Sequence, residues 1–138
     1  MSFSKYFTLE ELSASATARA AGIDNTPPPV AVCNLQKLCI RTLDPLRKAI
    51  GMPLNVTSGY RSEALNKAVR GVPNSQHIEG KAADITAGSS VLNRVIFEKI
   101  RDGGIKIPFD QLICEPKAAW LHISYNGAAC RRQVIDNE

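Results

Sequence analysis

The sequence predicts an α+β fold in which a small antiparallel sheet packs against helices. Three observations point there. Apolar residues recur at helical spacing through the first third of the chain, short segments farther on alternate apolar with polar residues, and helical patterns separate those segments until the last two, which a compact turn joins. The order helices, strand, helix, strand, helix, hairpin is that of an α+β domain. With 138 residues, 44% of them hydrophobic, the chain is long enough to bury about two thirds of its unfolded surface, which suits one core. A single domain over residues 1–138 is expected, with N-terminal helices at 8–50, a core that carries the chemistry at 54–125 and a tail at 126–138.

The first element is a short helix in "FTLEELSASATARAAG". Thr8 and Glu11 have the spacing of a capping box, which satisfies free helix N–H groups, and Gly22 suits a left-handed C-terminal cap. "IDNTPPP" then makes a rigid linker that cannot continue a helix. From Val32 onward Leu35, Leu38, Cys39, Leu46 and Ile50 recur at helical spacing, with Arg41, Arg47 and Lys48 mostly on the other side. Asp44 and Pro45 interrupt this pattern, either as a kink or as the cap and first turn of a second helix. One kinked helix packed on the core is the expectation.

In "LNVTSGYR", Leu54, Val56 and Ser58 alternate with polar neighbours as in a strand that ends at Gly59. Ser62 can cap the following "EALNKAVRG", whose Leu65, Ala68 and Val69 form an apolar stripe ending at Gly71. Tyr60 and Arg61 therefore stand at a strand-to-helix junction. "KAADIT" reads as a strand, and "SSVLNRVIFEKIRDGG" as an amphipathic helix with Leu92, Val95, Ile96 and Ile100 inward. "FDQLICE" and "WLHISY" read as two more strands around the turn "EPKAAW", and "RRQVIDNE" as a last edge strand followed by fraying.

Several function classes lose support from composition. The longest apolar runs fall far short of the roughly 20 residues a spanning helix needs, and "MSFSKYFTLEELS" alternates polar with apolar instead of building a signal-peptide core. No membrane association is expected, and the chain is expected to be made in the cytoplasm. Work outside the cell would need a release route other than a standard cleaved signal. Cys33, Cys39, Cys114 and Cys130 are sparse and sit among apolar or small residues, so buried free thiols are expected. The net charge of +4 is spread along the chain without a basic stripe, and aromatics are 6%. No nucleic-acid partner is expected, whereas an anionic cell wall fits the charge equally well. A monomer is expected.

The chain has only two histidines, His77 in "SQHIEGKAADI" and His122 in "WLHISY". Strand alternation sends Leu121 and Ile123 to one face and Trp120, His122 and Ser124 to the other, so His122 leaves the core on the polar side of its strand. The same logic turns Ile85 inward and Asp84 outward. If the two strands are neighbours, His122 and Asp84 share a face. His77 lies just ahead of the Asp84 strand, near Gly80 and three alanines, where small residues let the backbone fold tightly around an ion. Two imidazoles and a carboxylate are three protein ligands for zinc, leaving a fourth position for water as in a catalytic site.

"SGYRSEALNKAV", then "SQHIEGKAADI", then "WLHISY" together resemble the M15 family of zinc peptidases, which includes D-alanyl-D-alanine carboxypeptidases and phage endolysins that cut peptidoglycan stem peptides. The resemblance is densest at Leu54 to Thr86 and Phe109 to Tyr125, and closest to the small, single-domain branch. It implies a hedgehog/D-Ala-D-Ala peptidase-like fold and one Zn2+ held by His77, Asp84 and His122. It further implies that Arg61 faces the substrate with Ser75 as its polar companion, that the partner is a peptidoglycan stem peptide, and that the enzyme is a carboxypeptidase or murein endopeptidase. Without a signal, release by a prophage or by lysis is the expected route to the wall.

The sequence departs from the family at one position. Many members place an acidic base three residues before the last histidine, where this chain has Ala119. Glu115 is the substitute by geometry. If 116–119 form a four-residue hairpin loop, Glu115 pairs with Trp120 and lies diagonal to His122 at about 7 Å between β-carbons. Asp110 and Glu79 are weaker candidates. The missing acid also keeps open a zinc-holding recognition module of the same fold, as in the hedgehog signalling domain.

Overall fold

The computed structural model describes residues 3–138. Two short helices come first, α1 (Leu9–Ser13) and α2 (Ala16–Ala21), where the sequence reads as one. The capping box at Thr8 and Glu11 forms and Gly22 is left-handed as expected, but Ser15 accepts the Ala18 N–H and starts a second helix. A serine one residue past Ala14 offers the backbone a cap in place of a continuing helix, and the chain turns there.

Helix α3 (Pro29–Leu38) runs through a π-helical turn (Cys39–Leu43) into α4 (Asp44–Ile50). The wide turn has a clear cause. Pro45 has no N–H to return to Arg41, and the Asp44 N–H reaches back five residues to the Cys39 carbonyl. The Asp44 carboxylate meanwhile accepts from Ser4 Oγ, Lys5 N and Tyr6 N at 3.1, 2.9 and 3.1 Å, pinning the N-terminal segment to this helix. Leu35, Leu38, Cys39, Leu43 and Leu46 are all fully buried.

Five strands form the sheet: β1 (Asn55–Ser58), β2 (Ala82–Thr86), β3 (Gln111–Cys114), β4 (Leu121–Ser124) and β5 (Gln133–Asp136), in the order β1-β2-β4-β3-β5. β1 to β4 pair antiparallel as the sequence predicts. β5 adds parallel to β3, so the sheet is mixed. The end of β4 lies beside the start of β3, where Asp110 N donates to the Ser124 carbonyl at 2.8 Å. A tail strand that begins there can only run along β3 in the same direction.

Helices α5 (Glu63–Ala68) and α6 (Ser90–Arg101) flank β2 in sequence. Both turn differently from the expected stripes. In α6 the buried residues are Asn93, Ile96, Phe97 and Ile100, while Leu92 and Val95 are exposed. Asn93 turns inward because its side chain satisfies Thr86, the Ala87 N–H and the Ala118 carbonyl. In α5 only Leu65 and Asn66 are buried, and Ala68 and Val69 are exposed. Cys39 and Cys114 are buried free thiols, but Cys33 is exposed and Cys130 half-buried. Burial pushes the Cys39 thiol up to about 12.

One face of the sheet closes the core. Ala83, Ile85, Leu112, Cys114, Leu121 and Ile123 pack with Leu35, Leu38, Phe97, Ile100 and Phe109. Asp84 and His122 alternate to the opposite face. Among the described residues no helix is long and apolar enough to cross a membrane.

Candidate metal centre

The β2–β4 register sets Asp84 directly opposite His122. Cross-strand neighbours on one face are within side-chain reach, and His122 Nδ1 lies 3.1 Å from Asp84 Oδ1. His77 arrives from the turn ahead of β2, with its Nε2 at 3.3 Å from the same oxygen. The two rings stand edge to face, 5.1 Å between centroids.

Local structure explains how His77 gets there. Ser75 Oγ accepts the His77 N–H at 3.1 Å, and Gly80 holds a left-handed φ of 75° close against the Ala31 backbone. A side chain at Gly80 would meet the Ala31 carbonyl, so only glycine permits this approach. His77 Nδ1 lies 2.7 Å from the Gly59 carbonyl, and the His77 carbonyl accepts from Arg61 N at 3.1 Å. A carbonyl can only accept, so Nδ1 carries the proton and the Nε2 lone pair faces Asp84.

The donor set fits a divalent metal. One ligand atom from each of His77, Asp84 and His122 can be chosen so that all lie within 4.8 Å of one another. All three side chains are largely withdrawn from water, yet His122 Nε2 is buried without a hydrogen-bond partner. A buried polar atom without a protein partner is free to ligate an ion or a water. Burial works against ionisation of Asp84, but the hydrogen bond from His122 and the other polar contacts with the two imidazoles outweigh it and hold the carboxyl well below the usual range. Two imidazoles and one ionised carboxylate with an open side suit Zn2+ by ligand type.

The triad forms the floor of an open cleft of about 590 Å3 whose walls include Arg61, Val69, Arg70, Ser75, Ile113, Glu115 and Trp120. His77, Asp84, His122, Arg61, Ser75 and Glu115 therefore all line one cavity. Glu115 follows the last β3–β4 pair, its N–H donating to the Trp120 carbonyl at 3.2 Å. Burial and the nearby charge of Asp84 push its pKa up. The position of the absent acid, Ala119, lies in the turn between β3 and β4, its carbonyl 3.3 Å from Asn93 Nδ2.

The two weaker candidates stand elsewhere. Asp110 is 1% exposed, and its oxygens accept from Arg131 N, Nε and Nη2 and from Gln76 Nε2 at 2.8 to 2.9 Å. Those bonds hold its pKa down to about 2, a structural carboxylate. Glu79 is exposed and pairs with Lys81. Sequence reasoning missed Asn66 and Asn93, which hold Arg61 and the 118–119 turn, and Gln76 and Arg131, which line the cleft. An asparagine in the interior of a helix was the available signal for the first two.

A family model described as Peptidase M15 matches residues 5–124. Over 48 residues the chain is 46% identical to the zinc D-Ala-D-Ala carboxypeptidase of Streptomyces albus G, a stretch covering 34% of this chain and 19% of that relative's length.

Proposed function

The chain belongs to the peptidase M15 family, and from that premise we propose that it is a zinc peptidase that hydrolyses amide bonds in peptidoglycan peptides. His77, Asp84 and His122 hold one zinc ion, Glu115 is the general base, and Arg61 and Ser75 border the substrate. The observation that carries this reading is the convergence of the chain's only two histidines with Asp84 on the floor of a cleft that Glu115 also lines. The likeness to a zinc D-Ala-D-Ala carboxypeptidase supports the choice of metal and substrate class.

Zinc, when bound, acts as a Lewis acid on an amide carbonyl and lowers the pKa of water to about 7. The chain's own residues supply the rest. Glu115, with its pKa raised by burial and by Asp84, takes a proton from the attacking water and returns it to the leaving amine. Its elevated pKa narrows the gap to neutral pH and makes both transfers easier. Gly59 fixes the tautomer of His77, and Arg61 fixes the free oxygen of Asp84 at 3.3 Å. Trp120 at the rim and Ile113 behind His122 give the cleft apolar walls against which a peptide can lie.

The test is incubation of zinc-loaded protein with purified peptidoglycan and mass spectrometry of the products. Released D-alanine identifies a carboxypeptidase, and released stem fragments identify an endopeptidase. The absence of both leaves a zinc-holding recognition module, the reading favoured by Ala119.

A further inference from the structure

Arg61 borders the cleft, yet most of its guanidinium is engaged by the protein. Nε donates to Ser58 Oγ at 3.0 Å, Nη1 to Asn66 Oδ1 at 3.2 Å and Nη2 to Asp84 Oδ2 at 3.3 Å. Asp84 turns its other oxygen to both imidazoles. Arg61 thus meets the ligand carboxylate from behind, and whatever sets the plane of Arg61 sets Asp84.

Asn66 is placed to do so. It is 3% exposed, unusual for asparagine on a short surface helix. Its Oδ1 accepts from Arg61, its Nδ2 donates to the Val72 carbonyl at 2.8 Å, and its backbone carbonyl accepts from Gly71 N at 2.8 Å. Chemistry fixes the amide orientation, because a guanidinium only donates and a carbonyl only accepts. A flip would break both bonds at once. Gly71 completes the fit, since a Cβ there would fall on Asn66 Oδ1. Gly71 and Val72 also line the cleft, beside Arg70 with its left-handed φ of 60°. A continuous run of hydrogen bonds therefore joins the cleft wall to the metal ligand: Val72, Asn66, Arg61, Asp84.

We propose that Asn66 is a positioning residue for the metal centre, holding Arg61 in the plane that orients Asp84 and tying that carboxylate to the cleft wall at 70–72. This rests on the reading that His77, Asp84 and His122 hold a metal. Removing a partner that orients a ligating side chain typically costs about 10- to 100-fold in metal affinity. Asn66→Ala keeps the charge of Arg61 and removes only its guide, so the loss reports orientation and not charge.

The experiment is Zn2+ binding to the metal-free full chain, measured by competition with a chromophoric chelator, with circular dichroism to confirm folding. Asn66→Ala is expected to bind zinc about 10- to 100-fold more weakly than wild type, and to cost nothing further in an Arg61→Gln background. Gly71→Ala, which crowds the Asn66 amide from the cleft side, is expected to weaken zinc in the same sense. A folded Asn66→Ala protein that binds zinc as tightly as wild type overturns the proposal, as does an equal loss in both backgrounds. Should Asn66→Ala not fold, Gly71→Ala decides, and unchanged affinity there overturns it. Wild type that binds no zinc overturns the metal reading itself, and the relay with it.

Discussion

Replacing Gly59 by alanine strikes the site through one atom. The new Cβ would fall on the Leu12 carbonyl oxygen at the end of α1. That oxygen accepts the Tyr60 N–H at 2.6 Å, and the Gly59 carbonyl receives His77 Nδ1 at 2.7 Å. Relief of the overlap moves either α1 or the 59–60 backbone, and both bonds run through that backbone. Overpacking of this kind costs about 1–3 kcal/mol, and weakening of two hydrogen bonds adds about 1 kcal/mol each. The expected loss is about 3–5 kcal/mol, which for a chain of this length is a fall of roughly 10–20 °C in melting temperature. Zinc affinity should fall with it, because His77 loses the carbonyl that fixes its tautomer. Thermal unfolding of the metal-free protein and chelator competition on the folded protein measure the two effects separately. A Gly59→Ala protein with wild-type melting temperature and wild-type zinc affinity would refute the claim that this junction positions His77.

Glu115→Gln keeps the shape of the side chain and removes the base, so kcat on a peptidoglycan fragment is expected to drop about 10²- to 10⁴-fold with bound zinc unchanged. The same carboxyl has a raised pKa, so in wild type kcat/KM should fall as pH drops through a value above the usual glutamate range, a limb that steady-state rates against pH will locate. Asp110 behaves oppositely: its folded pKa is held down to about 2, so its contribution to stability is fully present above the ordinary aspartate value and is lost as pH falls through about 2. In acid unfolding, Asp110→Asn should therefore flatten the dependence on pH over that window. Phe97→Ala opens a cavity under α6 at a side chain with no exposure and should cost about 3–5 kcal/mol in denaturant melts, with zinc stoichiometry retained in the folded protein.

How much of this was legible in the sequence differs by element. The faces of β2 and β4 follow from period-two alternation alone, since Leu121 and Ile123 fix one side as core and leave His122 on the other. The hairpin register that brings Glu115 opposite Trp120 follows from the loop length. Helix faces were read less well, because polar side chains chose them. Asn93 is drawn inward by Thr86 and Ala118, which displaces Leu92 and Val95 to the surface. Asn66 does the same in α5 through Arg61 and Val72, and leaves Val69 on the cleft wall. A hydrophobic stripe carries no information about hydrogen-bond partners that lie outside the helix. The parallel pairing of β5 is of this kind as well, since it depends on where β4 ends and not on the tail's own residues.

The central claim is that His77, Asp84 and His122 hold a zinc ion that makes the Glu115 cleft a peptidase. Its most direct test measures zinc content and peptidoglycan hydrolysis on the same sample before chelation, after chelation and after zinc is restored. The expected result is one zinc per chain, with hydrolysis lost and regained in step with the metal, and neither zinc nor activity in His122→Ala. Hydrolysis that survives complete removal of the metal, or a fully zinc-loaded protein that releases nothing from peptidoglycan, would contradict it.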